Sequence, residues 1–499
     1  MKGKGPSSLI NRVSARFGLT RELPSVIQLG LAFMFVFTGF DTQAYVTETA
    51  LHSIALKEPH RIDPHAGYYG LAITYLTFTS SCFLTPLILG WIGAKWSMFL
   101  ASLAYTAFMT TFVMVNSYMF YAMSAIMGFA AALLWNAHGV YMREITTPGN
   151  ASRNSGLHWG LNFGSVSMLP VLVFVESHSL IINALENFSL LFGGILLLLI
   201  FRGTGQSQVM SMEVITYIFE GLSVFTILSN VLFFLLPDFS ERSAASKASF
   251  RKTIGRIFML LRDRRMLLLS AIFMYNGFVL SFYISIYPSC LSFSKSLVGA
   301  GNEIIAYFAL VTSFGQIAGG FFVSFMSKKI YGFGYMPTML MTIPINLITF
   351  AGIYITFPSD ANTRSSLEPT MLAPSLLIWL FLGLLLAIGD SFWNTIRTAC
   401  LTALYSKNSS QAFALSKFFQ SMMACASFFF TGSISLHAEL LLLTVFLGFA
   451  CIAFTFLYRI TGTEQLDVHE NPGDIYTIEK DKVAPCEPQS SPANIVELC

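Results

Sequence analysis

The stretch SERSAASKASFRKTIGRIFMLLRDRR, residues 240–265, sets eight basic side chains between two long apolar blocks: Arg242, Lys247, Arg251, Lys252, Arg256, Arg262, Arg264 and Arg265. Membrane proteins keep their excess of Lys and Arg in cytoplasmic loops, so this stretch is expected inside. The chain on both sides of it is a membrane chain. Of 499 residues 54% are hydrophobic, 15% aromatic and only 11% charged, where soluble domains carry about 25% charge. Crossing about 30 Å of hydrocarbon takes roughly 20 apolar residues as a helix, since lipid offers no partner to an open backbone group. The apolar runs are continuous, without the alternating polarity of a barrel.

Hydropathy predicts thirteen candidate segments, near 26–46, 68–90, 97–115, 119–140, 156–176, 186–202, 214–236, 267–288, 304–326, 336–357, 374–397, 411–432 and 439–458. The amino-terminal tail carries Lys2, Lys4, Arg12, Arg16 and Arg21, so it too is expected inside. An even number of crossings must then separate tail and linker, yet seven candidates do. The surplus lies between Gly156 and Arg202. Removing residues 166–188 would join LHWGLNFGS to SLLFGGILLLLIF as one ordinary span. Two readings stand. The block is an insertion, as from a retained intron, since Val166-Ser167 can be encoded by GTAAGT and Phe188-Ser189 can contain TTCAG; or it is a re-entrant segment.

With twelve spans, Lys95, Arg143, Arg153, Lys328, Lys329, Lys407 and Arg459 fall inside, and Lys57, Arg61, Lys295 and Arg364 are the outside exceptions. The expected organisation is a basic cytoplasmic tail (1–24), a six-helix bundle (25–236), a basic cytoplasmic linker (237–266), a second six-helix bundle (267–459) and an acidic, proline-containing, disordered tail (460–499). Both termini are expected in the cytosol. Within the linker Phe250, Ile254, Ile257, Phe258 and Leu261 recur at helical spacing, which predicts an amphipathic helix on the membrane surface. The seven cysteines show neither CxxC nor metal-ligand spacing.

The halves repeat one another. AFMFVFTGFDTQAY (32–45) lies over AIFMYNGFVLSFY (271–283), matching Gly39-Phe40 with Gly277-Phe278. Trp135-Asn136 in the fourth span returns as Trp393-Asn394 in the tenth, and GWIGAKWSM (90–98) is followed by SFMSKKIYG (324–332). Six helices, a basic strap and six more is the plan of the major facilitator fold.

The blocks FMFVFTGFDT, RNSGLHW, LGLLLAIGDSFWNT and ALYSKNSSQAFALSKFFQS resemble the Unc-ninety-three family of the major facilitator superfamily, over roughly residues 25–460. That resemblance implies an all-α membrane protein with twelve transmembrane helices in two six-helix bundles. It also implies one of several roles: solute transporter of unknown substrate, regulatory subunit of a potassium channel, or trafficking partner of a membrane receptor. One motif departs from the superfamily. Many facilitators carry G-x-x-x-D-R-x-G-R-K after the second helix, as a charged lock. Here PLILGWIGAK puts Gly90 and Trp91 in place of the Asp and Arg, and the second copy, GFFVSFMSKK, has Ser324 and Phe325. Either another pair replaces the lock, with Asp390 the candidate, or the chain does not cycle as a transporter.

A carboxylate at mid-membrane costs about 2.5–3.5 kcal/mol on insertion scales, so it faces protein or water. Asp390, Asn394 and Arg397 share a helix face at i, i+4 and i+7. Counted from Pro374, Asp390 is expected about 24 Å down its helix, in the cytoplasmic third, with Arg397 snorkelling to the head groups. Polar groups expected at the same level are Asn136, His138, His158, Asn162, Lys417 and Gln420. Asp390 with Asn394, Lys417, His158, Asn136 and Gln420 is therefore a candidate inner gate or coupling site, with Asp390 paired to Lys417 or His158; the competing reading is a static pair that fixes helix register. Asp41, with Thr38, Gln43 and Tyr45, is the candidate cavity lining, and Glu48 is expected to be solvated at the outer interface. No HExxH, P-loop or nucleophile elbow suggests an enzyme, no cofactor or metal is implied, and the basic residues follow the membrane rule, which points away from nucleic acid. The partners expected are the bilayer, a small solute, and a channel or receptor.

Overall fold

The computed structural model describes residues 22–82, 84–145, 188–204, 209–238, 250–329, 335–366, 368–405 and 409–461. The first half comprises α1 (Glu22–Lys57), α2 (Ala66–Ser81), α3 (Thr85–Thr110), α4 (Ser117–Ile145), α5 (Phe188–Thr204) and α6 (Met212–Leu235). A short helix, α7 (Phe250–Leu261), leads to the second half. There α8 (Arg264–Ser281) passes through a five-residue π-helical turn, Phe282–Ile286, into α9 (Tyr287–Ser294), and these pieces cross as one span. They are followed by α10 (Glu303–Lys329), α11 (Tyr335–Thr356), α12 (Leu376–Leu404), α13 (Ser409–Thr431) and α14 (Leu436–Thr461). Among the described residues nine helices are long and apolar enough to cross a membrane. With α2, α3 and α5 they fill twelve bundle positions. The segment expected at 156–176, and residues 166–187 of the suspected insertion, lie outside the described residues; its last residue, Phe188, opens α5.

The packing has the symmetry of the sequence repeat. In the first half α1 packs on α5 and α6, α3 on α4 and α6, and α2 on α4; in the second, α8 packs on α13 and α14, α11 on α12 and α14, and α10 on α12. Each contact in one list has its repeat counterpart in the other. The halves join through α2 with α13 and α5 with α10, again two copies of one interface. The repeated tryptophans confirm the register: Trp135 lies 5.3 Å from Phe37, and Trp393 lies 5.2 Å from Tyr275, the residue that aligns with Phe37.

Polar residues survive in these apolar helices by bonding backward to the carbonyl one turn earlier, as Thr38 does to Met34 and Thr47 to Gln43. Two helix starts are capped by side chains: Ser211 accepts from the Val214 amide and Asp263 from the Arg265 amide. Gly277 lets α8 and α13 touch, since a Cβ there would stand 2.0 Å from the Gln420 carbonyl oxygen. Small residues play this part where lipid supplies no hydrophobic drive between helices.

Two boundaries differ from the hydropathy reading. The second segment was expected to run to residue 90, but turns at Cys82 and at Leu84 end α2, and the GWIGAK stretch is helical within α3, broken only at Gly93, whose φ of 78° favours glycine. Window averages cannot see a turn made of apolar residues. The linker helix forms as expected, at 250–261, with Ile257 buried and Phe258 62% exposed beside Met259 at 60%. That exposed apolar edge suits a membrane surface. We refer below to the end of the bundle bearing α7 as the linker end and to its opposite as the far end. The four basic residues expected outside are each tied down at the far end: Lys57 to the Met210 carbonyl, Arg61 to the Val115 carbonyl, Lys295 to Asn302 and Arg364 to Asp360.

Candidate functional site

α12 runs fourteen residues past Leu376 to reach Asp390 and fourteen more to Leu404. Asp390 is thus midway along its helix, not in the inner third; the sequence-based placement stopped the helix too early, at Arg397. Its carboxylate is 5% exposed and accepts hydrogen bonds from Gln316 Nε2 at 2.7 Å and Asn394 Nδ2 at 2.9 Å, both on Oδ2. Gln316, on α10, is a partner that sequence reasoning missed. One turn before it, Thr312 stands 3.4 Å from the hydroxyl of Tyr45 on α1. A polar line therefore crosses from the first half to the second: Tyr45, Thr312, Gln316, Asp390, Asn394.

Tyr45 holds a special place. The alignment that pairs Gly39 with Gly277 also pairs Tyr45 with Tyr283, and these two rings meet edge to face, 5.9 Å between centroids at 89°. Equivalent residues of a two-fold repeat touch one another only near its axis, so this contact lies close to the axis that relates the halves. On the same stretches of α1, the π-helical turn and α10, four buried polar atoms make no hydrogen bond: Gln43 Oε1, Thr42 Oγ1, Ser285 Oγ and Ser313 Oγ. Gln43 donates to Thr47. Asp41, on the same stretch of α1, accepts from Ser189 on α5 at 3.3 Å. Each half thus supplies one mid-height carboxylate that the other lacks, because Val279 aligns with Asp41 and Ala132 with Asp390.

The other candidate gate residues are distributed. Asn136 donates to Thr85 Oγ1 and to the Ala132 carbonyl, which ties α4 to the start of α3. Lys417 Nζ sits 5.1 Å from the centre of the Trp135 ring, a cation–π contact across the halves. Gln420 accepts from Arg397 at 2.6 Å. Arg397 is 8% exposed, so the expected snorkelling is overturned: a side-chain acceptor on α13 captures it first. His158 and Asn162 lie outside the described residues.

The largest departure is at the far end. Glu48, expected in water, is completely buried. Its Oε2 accepts the Tyr68 amide at 3.0 Å and its Oε1 lies 3.3 Å from His65 Nδ1. This hydrogen bond to Glu48 holds the His65 imidazole above its ordinary pKa. Tyr68 in turn donates its hydroxyl to the Asn362 carbonyl at 2.7 Å, and Asn362 Nδ2 donates to the Thr431 and Ile434 carbonyls. The far ends of the two halves are thereby latched together. The signal available in the sequence was E-x-x-x-H at 48–52, an acid and a histidine on one helix face.

Comparison with known proteins agrees with this architecture. The family model described as ion channel regulatory protein UNC-93 matches residues 58–177 and 173–455. The chain belongs to the UNC-93 family. Among its relatives, the UNC93-like protein MFSD11 of Xenopus tropicalis is 32% identical over 461 residues, covering 88% of this chain and 96% of that protein. Two solved structures share the fold. The nucleoside transporter NupG aligns with a TM-score of 0.55 at 13% identity, over 88% of this chain and all of that one. A bacterial homologue of the human lysosomal transporter Spinster, inward-facing and unoccupied, aligns at 0.53 with 15% identity, over 93% of this chain and 99% of that one. The UNC-93 chain is thus a multi-pass membrane protein of the major facilitator fold.

Proposed function

We propose that this UNC-93 protein is a solute transporter whose two six-helix bodies, 25–236 and 267–459, rock about the Tyr45–Tyr283 contact, with the linker 237–266 and both termini on the cytosolic side. The observation that carries this reading is the polar line that crosses between the halves, from Tyr45 through Thr312 and Gln316 to the buried Asp390. Transporter sites of this kind lie at the interface of the repeats near the bilayer midplane, and a buried ionisable group in a membrane helix is most often functional. In this proposal Tyr68–Asn362 closes the far side. Arg397–Gln420 and Lys417–Trp135 lie on the linker side of Asp390 and take the part of the missing charged lock.

The test is uptake into proteoliposomes across a panel of nucleosides, amino acids, sugars and organic ions. Flux of a solute that disappears in Asp390→Asn supports the proposal. The family's own description favours a second reading, a non-transporting regulatory subunit of an ion channel. In that case Asp390, Gln316 and Asn394 form a fixed brace, no solute is moved, and a channel co-purifies from native membranes.

A further inference from the structure

Apart from the central site, the far end holds a second constellation: Glu48 and His52, one turn apart on α1, and His65 from the α1–α2 loop. One ligand atom from each lies within 4.8 Å of the other two. We propose that Glu48, His52 and His65 form a binding site for a divalent transition-metal ion of the zinc class. Two ligands about 2.0–2.1 Å from a tetrahedral zinc stand about 3.3 Å from each other, and Glu48 Oε1 and His65 Nδ1 are 3.3 Å apart. Two histidines and a carboxylate, with the fourth position open to water or another ligand, is a set that zinc accepts.

The surrounding bonds are those that prepare such ligands. His52 Nδ1 is 3.1 Å from the Pro64 carbonyl, which can only accept, so the ring's hydrogen sits on Nδ1 and Nε2 keeps its lone pair. The second oxygen of Glu48 is held by the Tyr68 amide. His65 is positioned by its own amide, which donates to Asp63 Oδ1 at 2.8 Å. Both imidazoles are partly accessible while Glu48 is buried, which gives an ion a route in and a low-dielectric seat. An ion would displace the proton between His65 and Glu48 and pin the loop to α1. It would also bear on the other half, because the His52 ring packs 4.8 Å from Phe293 of α9.

The test uses the full chain in detergent micelles, titrated calorimetrically with zinc chloride against a competing chelator, with X-ray absorption on the zinc-loaded protein. One ion per chain is expected in a shell of nitrogen and oxygen that includes two imidazoles and no sulfur. His52→Ala and His65→Ala should each weaken binding about tenfold or more, while His60→Ala, at an exposed position of the same loop, leaves it unchanged. The proposal is overturned by absence of saturable binding, by sulfur in the shell, or by binding indifferent to both histidine substitutions. Should His65→Ala fail to fold, His52→Ala and the absorption spectrum of the wild-type chain decide.

Discussion

Tyr68→Phe isolates the far-end latch. The substitution keeps the ring, which is fully buried, and keeps the backbone amide that serves Glu48; it deletes only the hydroxyl that reaches Asn362 across the halves. In the closed arrangement the Asn362 carbonyl then loses a buried donor, at a cost of about 1–3 kcal/mol, whereas in a far-open arrangement water replaces it at little cost. The ratio of closed to open molecules should fall by a factor of about 5–150. The assay is the distance distribution between spin labels at the exposed loop positions His60 and Glu368, in a chain freed of its native cysteines and held in nanodiscs. A new, longer-distance population in Tyr68→Phe is expected. A distribution identical to wild type would refute the idea that this bond latches two moving bodies.

Gly277→Ala should lower the melting temperature, since its methyl meets the Gln420 carbonyl at 2.0 Å and such overpacking costs about 1–3 kcal/mol; Gly448→Ala, which meets nothing within 4 Å, should not, and thermal unfolding in detergent compares the two. Asp390→Leu leaves the buried Gln316 amide without its acceptor, a cost of about 1–3 kcal/mol, while the half-buried Asn394 amide keeps its bond to the residue-390 carbonyl; the variant should melt earlier than Asp390→Asn, which retains an acceptor oxygen. Because Glu48 raises the His65 pKa on folding, His65 stabilises the fold fully below its ordinary value of 6.5, and that contribution is lost as pH rises through the folded value. Melting temperatures should therefore decline above pH 6.5 in wild type more than in His65→Gln, with Glu48, Asp63 and His52 the ionisable neighbours; equal pH profiles would contradict this.

The architecture was legible because it rests on features that a sequence displays directly. Continuous apolar runs give the spans. The Trp135 and Trp393 repeat gives the symmetry, and the packing of both rings on aligned residues bears it out. The candidate site was legible in part. Asp390 and Asn394 belong together as their i, i+4 spacing implied, but Gln316 comes from another helix 74 residues away and no local pattern announces it. Arg397 and Glu48 were misread for one reason: an ionisable residue near a helix end looks the same in sequence whether it meets solvent or a buried partner. For Glu48 the partners arrive 17 and 20 residues later, in a loop and on the next helix.

The π-helical turn at Phe282–Ile286 has a consequence for how alike the bundles are. A widened turn admits one surplus residue, and everything beyond it is rotated by about 100° relative to an uninterrupted helix. Up to Tyr283 the first and seventh spans follow the same two-fold repeat; above it the seventh presents a different face to the cleft than the first. Any cargo resting there would meet two unlike walls, and so has one preferred way round.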